Sequence, residues 1–199
     1  MHQPRFSDPS PQISKQISRP ICPEIWLMTD ARNDERLERS IKALPRGSGI
    51  VFRHYHLAPD ARRERFEEVR YWARRGGHIL LLSGSPFQAR QWGADGVYGT
   101  DGGALRRYQM AGLIHGAPVH DVREIAMAGQ YGADLLFLSP AFATRSHPGQ
   151  PPLHRIQLRR LVALCRKPVI LLGGMDAMRY RRLADIGAHG WAAIDGLSA

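Results

Sequence analysis

The chain has 199 residues, 43% of them hydrophobic and 23% charged, with a formal net charge of +10. That length supports one well-buried core and is short for two, and the longest apolar runs, near residues 79–82 and 168–172, are too short to cross a bilayer. The basic excess is almost all arginine, with Lys15, Lys42 and Lys167 the only lysines and acids interleaved as in Arg62-Arg63-Glu64-Arg65-Phe66-Glu67-Glu68, which with no helix-turn-helix or zinc-finger pattern argues against nucleic acid and for small phosphorylated partners.

Residues 1–22 are rich in Pro, Ser and Gln, lack an apolar h-region and read as a flexible extension, with one domain over 23–199. That extension is no secretory signal and reads as a disordered arm in preference to an organelle transit peptide, so the cytoplasm is the expected compartment; Cys22 and Cys165 have no metal-ligand spacing and read as inert thiols. From residue 24 onward short apolar runs alternate with longer helical patterns, as in βαβ units built on a parallel sheet. Eight strands are predicted, over 24–28, 49–53, 78–82, 96–98, 111–115, 135–138, 169–172 and 191–194. Eight strands close a (β/α)8 barrel of the TIM type. A doubly wound sheet is the alternative, and the absence of a strand-following G-x-G-x-x-G speaks against it.

The helices carry their own signals. Asn33-Asp34-Glu35 offers a cap for the first, Pro59-Asp60 opens the second, which ends at Gly76-Gly77, and Asp121 caps a later one with Glu124 returning the bond. The chain stops a few residues past the eighth strand, with little left for an eighth outer helix. That side is expected to be open, or covered by the N-terminal arm or by a partner, a second copy of the chain included.

In a parallel barrel the strand C-termini converge on one mouth, so the residues just past each strand are the candidates for chemistry. Gly173-Gly174, with the residues after Ile194, presents backbone N–H groups as a phosphate cradle; the plainer alternative is a tight turn. The Pro- and Gly-rich loop 139–149 places Thr144, Ser146, Arg145 and His147 together, suited to wrapping an anion, or to serving as a polar surface loop. Arg53 ends the second strand pointing into the mouth, and Tyr55 is expected on the same face by alternation. His54 and His56 share the other face, a spacing able to hold a metal if a carboxylate or thiol joins them. His115 and His120 flank the expected end of the fifth strand, and His120 is a possible acid/base or a structural histidine.

Three punctuated blocks follow in fixed order: Gly132-Ala133-Asp134 leading to Leu135-Leu136-Phe137-Leu138-Ser139-Pro140, Pro168-Val169-Ile170-Leu171-Leu172-Gly173-Gly174, and Gly187-Ala188-His189-Gly190-Trp191-Ala192-Ala193-Ile194. In order and wording they resemble the thiamine phosphate synthase/thiazole tautomerase superfamily, and the resemblance runs over roughly residues 24–198. It implies a barrel that joins a pyrimidine methyl pyrophosphate to a thiazole phosphate with release of pyrophosphate, using Mg2+. It also implies that Arg53, Thr144, Ser146 and His147 hold pyrophosphate, and that Gly173, Gly174, Ile194 and Asp195 surround the thiazole phosphate.

The match is partial. In the family's V-Q-L-R-E-K the arginine corresponds to Arg53, while the glutamine, glutamate and lysine positions are Val51, His54 and Tyr55. The Asn-Asp pair that ends the third strand of synthases is Ser83-Gly84, so a Mg2+ aspartate remains only if Asp101 replaces it. The fifth-strand S-x-H is Pro118-Val119-His120, the final lysine of the sixth-strand motif is His147, and Asp195 stands where serine is usual, beside a cradle that an added carboxylate disfavours. The tautomerase histidine falls at Pro140. A thiamine phosphate synthase-like transferase is the leading expectation, with a non-catalytic phosphate-ligand binder or a tautomerase-like homologue as the alternative.

Overall fold

The computed structural model describes residues 22–100, 112–146, 149 and 151–198. Eight parallel strands close a ring in chain order: β1 (Ile25–Met28), β2 (Gly49–Phe52), β3 (Ile79–Leu82), β4 (Gly96–Tyr98), β5 (Ile114–Val119), β6 (Leu135–Leu138), β7 (Val169–Leu171) and β8 (Gly190–Ala193). β8 pairs back onto β1 through Ile25 with Trp191 and Leu27 with Ala193, so the strand ring is complete. The described outer helices are α1 (Leu37–Ala43), α2 (Pro59–Gly76), α3 (Pro86–Trp92), α4 (Val122–Gln130), α5 (Arg155–Leu164) and α6 (Ala177–Arg182). None is long and apolar enough to cross a membrane.

Strand alternation sorts the apolar side chains into an inner and an outer set. Trp26, Val51, Leu81, Tyr98, Phe137, Ile170 and Ala192 fill the barrel interior. Outward residues of the first strands, among them Leu27, Ile50, Phe52, Leu80 and Leu82, pack with Phe66 and Val69 of α2, while Leu136, Leu138 and Leu171 pack with Leu158 and Leu161 of α5. Burying such side chains contributes about 1.5–3 kcal/mol each. The largest inner side chain needs a missing one opposite it: a Cβ at Gly49 would lie 2.1 Å from the Trp26 ring. The indole N–H donates to the Pro23 carbonyl at 2.8 Å.

Two local expectations are corrected. The first helical segment begins at Ala31, and its cap is Asp30: its carboxylate accepts from the Arg32 amide at 3.3 Å, and Asn33 Oδ1 accepts from the Asp30 amide at 2.9 Å. Asn33 therefore returns the bond, and Asp34 is committed elsewhere. β5 begins at Ile114 and runs on through Pro118, which sits opposite Phe137 in the ladder. His115, Gly116 and Pro118 blur the apolar signal of that strand, and proline forgoes a ladder donor. α2 does open at Pro59 and ends on Gly77 in the left-handed region, φ +66. At the C-terminus a 3-10 turn, Asp195–Leu197, stands where an eighth helix would, with Leu197 packed against both outer clusters.

Candidate active site

The strand C-termini surround a cavity of about 550 Å³, and Arg53, His120, Thr144, Ser146, Gly173, Gly174, Ile194 and Asp195 all line it. His147 and Asp101 lie outside the described residues. Inward alternation from Val51 carries Arg53 to the mouth. Its amide donates to Thr29 Oγ1 at 2.9 Å, its Nε to the Thr29 carbonyl at 3.0 Å and its Nη2 to Asp30 Oδ2 at 2.7 Å. Burial pushes the Asp30 carboxyl up, yet bonds from Arg32 and the charges of Arg53 and Arg32 outweigh that and hold it below its usual range. Among the described residues Arg53 Nη1 takes no partner and is left for the cavity.

The residue behind Arg53 is fixed from two sides. His54 is buried, 1% exposed, and is the only described non-glycine residue at positive φ, +39. Its Nδ1 bonds Thr29 Oγ1 at 2.7 Å, its Nε2 bonds Asp34 Oδ1 at 2.8 Å, and its ring stacks on Phe52 with centroids 4.8 Å apart. Burial lowers its pKa, against the raising effect of Asp34. Asp34 is thus the carboxylate that the sequence does not place beside the histidines. It also accepts from Arg65 Nε at 2.8 Å, and no described set of three groups fit to hold a metal includes His54 and His56. Tyr55 is 66% exposed, bonds the Ser83 hydroxyl and lies over Arg62, outside the cavity lining, which corrects its expected place beside Arg53.

The β6 loop supplies the polar wall. Thr144 Oγ1 accepts from the Ser146 amide at 3.2 Å, and Ser146 Oγ accepts from Arg32 Nη2 at 2.9 Å. Arg145 Nη2 pairs with Asp195 Oδ2 at 2.9 Å, and Arg32 Nη1 stands 3.5 Å from the same oxygen. Two arginines therefore offset the carboxylate that the sequence places unfavourably beside the cradle. Arg32 was outside the sequence-based candidates, although it sits three residues after Thr29 in the 3-10 segment that follows β1, where the barrel rule would have directed attention.

The β7 end is built on close approach. The Phe142 amide donates to the Gly173 carbonyl at 3.0 Å, and a Cβ at Gly174, where φ is +58, would lie 2.5 Å from the Ala143 carbonyl oxygen. Both glycines thus make the loop contact that the turn alternative requires and also border the cavity. Among the described residues the Gly174 and Met175 amides have no bonding partner. Arg179, also missed in the sequence, follows the capping Asp176 by three residues, bonds the Gly174 carbonyl and lies over the Phe142 ring at 5.1 Å. Its position adds a cation to the phosphate end.

The two candidate histidines separate cleanly. His115 faces outward, is 2% exposed and bonds the Gly99 carbonyl through Nε2 at 3.0 Å, a structural role. His120 lines the cavity, with Nδ1 bonded to Glu124 Oε2 at 2.8 Å. Glu124 also accepts from the His120 amide, one residue before the expected return to Asp121. Tyr98 forms part of the apolar floor, edge-on to Phe137 at 5.1 Å, with burial pushing its phenol up.

Mg2+ asks for oxygen ligands in an octahedron, usually one or two carboxylates with substrate phosphates. Among the described residues the carboxylates at or beside the mouth are Asp30, Glu124, Asp176 and Asp195; both oxygens of Asp30 face arginines, Glu124 Oε2 faces His120, Asp195 Oδ2 faces two arginines, and Asp176 caps α6. The third strand leads into Ser83, whose hydroxyl is bonded to Tyr55. Each of these groups has a protein partner, and Asp101, the carboxylate expected to hold the ion, lies outside the described residues.

The sequence model of a family described as thiamine monophosphate synthase matches residues 25–197. A thiamine-phosphate synthase of Alcanivorax borkumensis is 29% identical over 171 residues, 82% of this chain and 79% of that one. Another from Chloroflexus aurantiacus is 28% identical over 183 residues, covering 88% and 85%. The solved thiamine phosphate pyrophosphorylase of Pyrococcus furiosus superposes with a TM-score of 0.72 at 22% identity, covering 88% of each chain, and shares the fold. The chain belongs to the thiamine monophosphate synthase family.

Proposed function

We propose that this member of the family is a transferase that joins a pyrimidinylmethyl pyrophosphate to a thiazole phosphate, giving thiamine phosphate and pyrophosphate. The observation that carries the reading is the single cavity in which Arg53, Thr144 and Ser146 face Gly173, Gly174 and Ile194 across an apolar floor. One end suits a leaving diphosphate and the other a phosphate monoester. Breaking the methylene C–O bond sends the electron pair out with the diphosphate, where Arg53 and Arg145 meet the growing charge. The pyrimidinyl methylene cation left behind is closed off from water by Tyr98, Pro118 and Leu172, and the thiazole nitrogen lone pair then forms the new C–N bond. No proton transfer is needed in that step, so His120 is a wall residue of the site and not its acid.

Assay of the purified protein with both substrates tests this, read as thiamine phosphate formed. Arg53→Ala is expected to lower turnover by about a hundredfold, the scale of losing one donor to developing charge; unchanged turnover removes the role given to Arg53. The absence of an acid at Ser83-Gly84 favours a second reading, a non-catalytic binder of thiazole phosphate, which predicts binding without product. The cytoplasmic assignment rests on two unpaired cysteines, as expected in a reducing compartment.

A further inference from the structure

Arg53 reaches the mouth on a support built from two strand ends. Thr29, the residue after β1, is fully buried and takes both the amide and the Nε–H of Arg53, through its hydroxyl oxygen at 2.9 Å and its carbonyl at 3.0 Å. The Arg53 carbonyl in turn accepts from Arg62 Nε at 2.9 Å. The Thr29 hydroxyl also meets His54 Nδ1 at 2.7 Å, so the group that pins Arg53 is itself held by the next residue along the chain.

The direction of each bond in this line follows from its far end. Asp34 Oδ1 accepts from Arg65 Nε at 2.8 Å, and the Asp34 carbonyl accepts from Arg65 Nη2 at 2.7 Å. Burial pushes the Asp34 carboxyl up, yet bonds from His54 and Arg65 outweigh that and hold it below its usual range. Near neutral pH it is ionised and can only accept. His54 Nε2, 2.8 Å from the same oxygen, must then carry the ring proton. Burial also keeps the imidazole neutral, which leaves a lone pair at Nδ1. The Thr29 hydroxyl therefore donates to Nδ1 and keeps its oxygen for the Arg53 amide. An ionised glutamate, the residue that the family pattern carries at position 54, could accept from Thr29 but has no proton for Asp34, so the line belongs to this chain's own His54 and Asp34.

We infer that His54 and Thr29 are positioning residues for Arg53: Asp34 fixes the Nε2–H form of the His54 ring, the ring fixes the Thr29 hydroxyl, and Thr29 aims Arg53 at the cavity. The consequence for turnover rests on the transferase reading, in which Arg53 meets the charge of the leaving diphosphate. The aim of the side chain does not.

The test pairs kinetics with nitrogen-15 magnetic resonance of the full chain. Near neutral pH the His54 ring is expected to show a protonated Nε2 and an unprotonated Nδ1. Thr29→Val keeps the shape and removes the hydroxyl. It should speed solvent exchange of the Arg53 amide and lower turnover about tenfold with the KM for thiazole phosphate unchanged, inside the roughly hundredfold that a misplaced group can cost. Thr29→Ser should restore both. In an Arg53→Ala background Thr29→Val should lower turnover no further, because the two act as one unit. Should Thr29→Val fail to fold, Asp34→Asn, at a side chain 32% exposed, offers a donor where Nε2 needs an acceptor; it should move the ring proton to Nδ1 and lower turnover several-fold. A wild-type ring protonated at Nδ1, or a Thr29→Val loss that persists in full without Arg53, overturns the inference. No product at all, with the Nε2–H ring present and the Arg53 amide released by Thr29→Val, removes the transferase reading and leaves the positioning line standing. Product formed at wild-type turnover by Thr29→Val does the reverse.

Discussion

At the scale of single residues, the least expected arrangement is the line Thr29–His54–Asp34–Arg65 behind the cavity. His54 holds a backbone conformation that costs a non-glycine residue of order 1–3 kcal/mol, and the bonds at both ring nitrogens oppose that cost. Thr29 connects it to Arg53, since one hydroxyl serves the His54 ring and the Arg53 amide. Burial holds the imidazole pKa below the usual value of 6.5 despite Asp34, with His56 and Arg65 adding to the lowering. The unfolded chain therefore binds more protons than the folded one between the folded pKa and 6.5, and stability must rise with pH across that window. Melting temperatures measured from about pH 7 down to about pH 5 should fall in the wild type, and His54→Asn, which tolerates positive φ, should flatten the slope. A slope unchanged in that variant would place the titration on other groups. Arg53 was legible because strand alternation alone aims it inward. His54 was not, because Thr29 and Asp34 lie 25 and 20 residues away and meet it only when β1 and β2 pair.

At the scale of elements, the loops after β6 and β7 behave as one unit. The amides of Ala141 and Phe142 donate to the carbonyls of Leu172 and Gly173 at 2.8 and 3.0 Å, and Arg179 of α6 covers the Phe142 ring. Gly174 is where that unit closes, and an alanine there meets both a left-handed backbone and the Ala143 carbonyl. Gly174→Ala should cost about 1–3 kcal/mol and lower the melting temperature by several degrees. The KM for thiazole phosphate should rise more than turnover falls, because the binding end moves while Arg53 stays in place. Equal KM with normal stability would leave the pair as a permissive turn. The glycine pair could be read from sequence as a cradle or a turn, and geometry makes it both. β5 shows the opposite limit: local apolarity stops at His115, while the ladder with β6 carries the strand on to Val119. Pairing that joins distant segments overrides a weak local signal.

For the whole molecule, the seam between the last strands and the first is the part of the barrel whose cover the local sequence pattern did not show. The strand ring needs no eighth helix to close, because β8 bonds β1 directly and the His189 ring bonds the Cys22 carbonyl at 2.7 Å. The outer surface still has to be covered between the helices of the last strands and those of the first. Trp191 is only 4% exposed, with Tyr180 stacked beside it at 6.3 Å, and Leu197 touches both outer clusters. The turn Asp195–Leu197 therefore does two jobs: its first residue faces the arginines at the mouth, and its last plugs the seam. A leucine in such a place contributes less than a fully buried one, so Leu197→Ala should destabilise by about 1–2 kcal/mol, at or below the low end for core truncations. For a domain of this size that is a drop of roughly 2–8 °C in melting temperature. Because the same short turn carries Asp195, the loss should also loosen the Arg145 and Arg32 pairing and raise the pyrophosphate dissociation constant. Leu197→Met, which keeps the volume, should restore both values together. If stability falls while pyrophosphate affinity holds, the seam and the mouth are independent, and the turn serves only to cover the barrel.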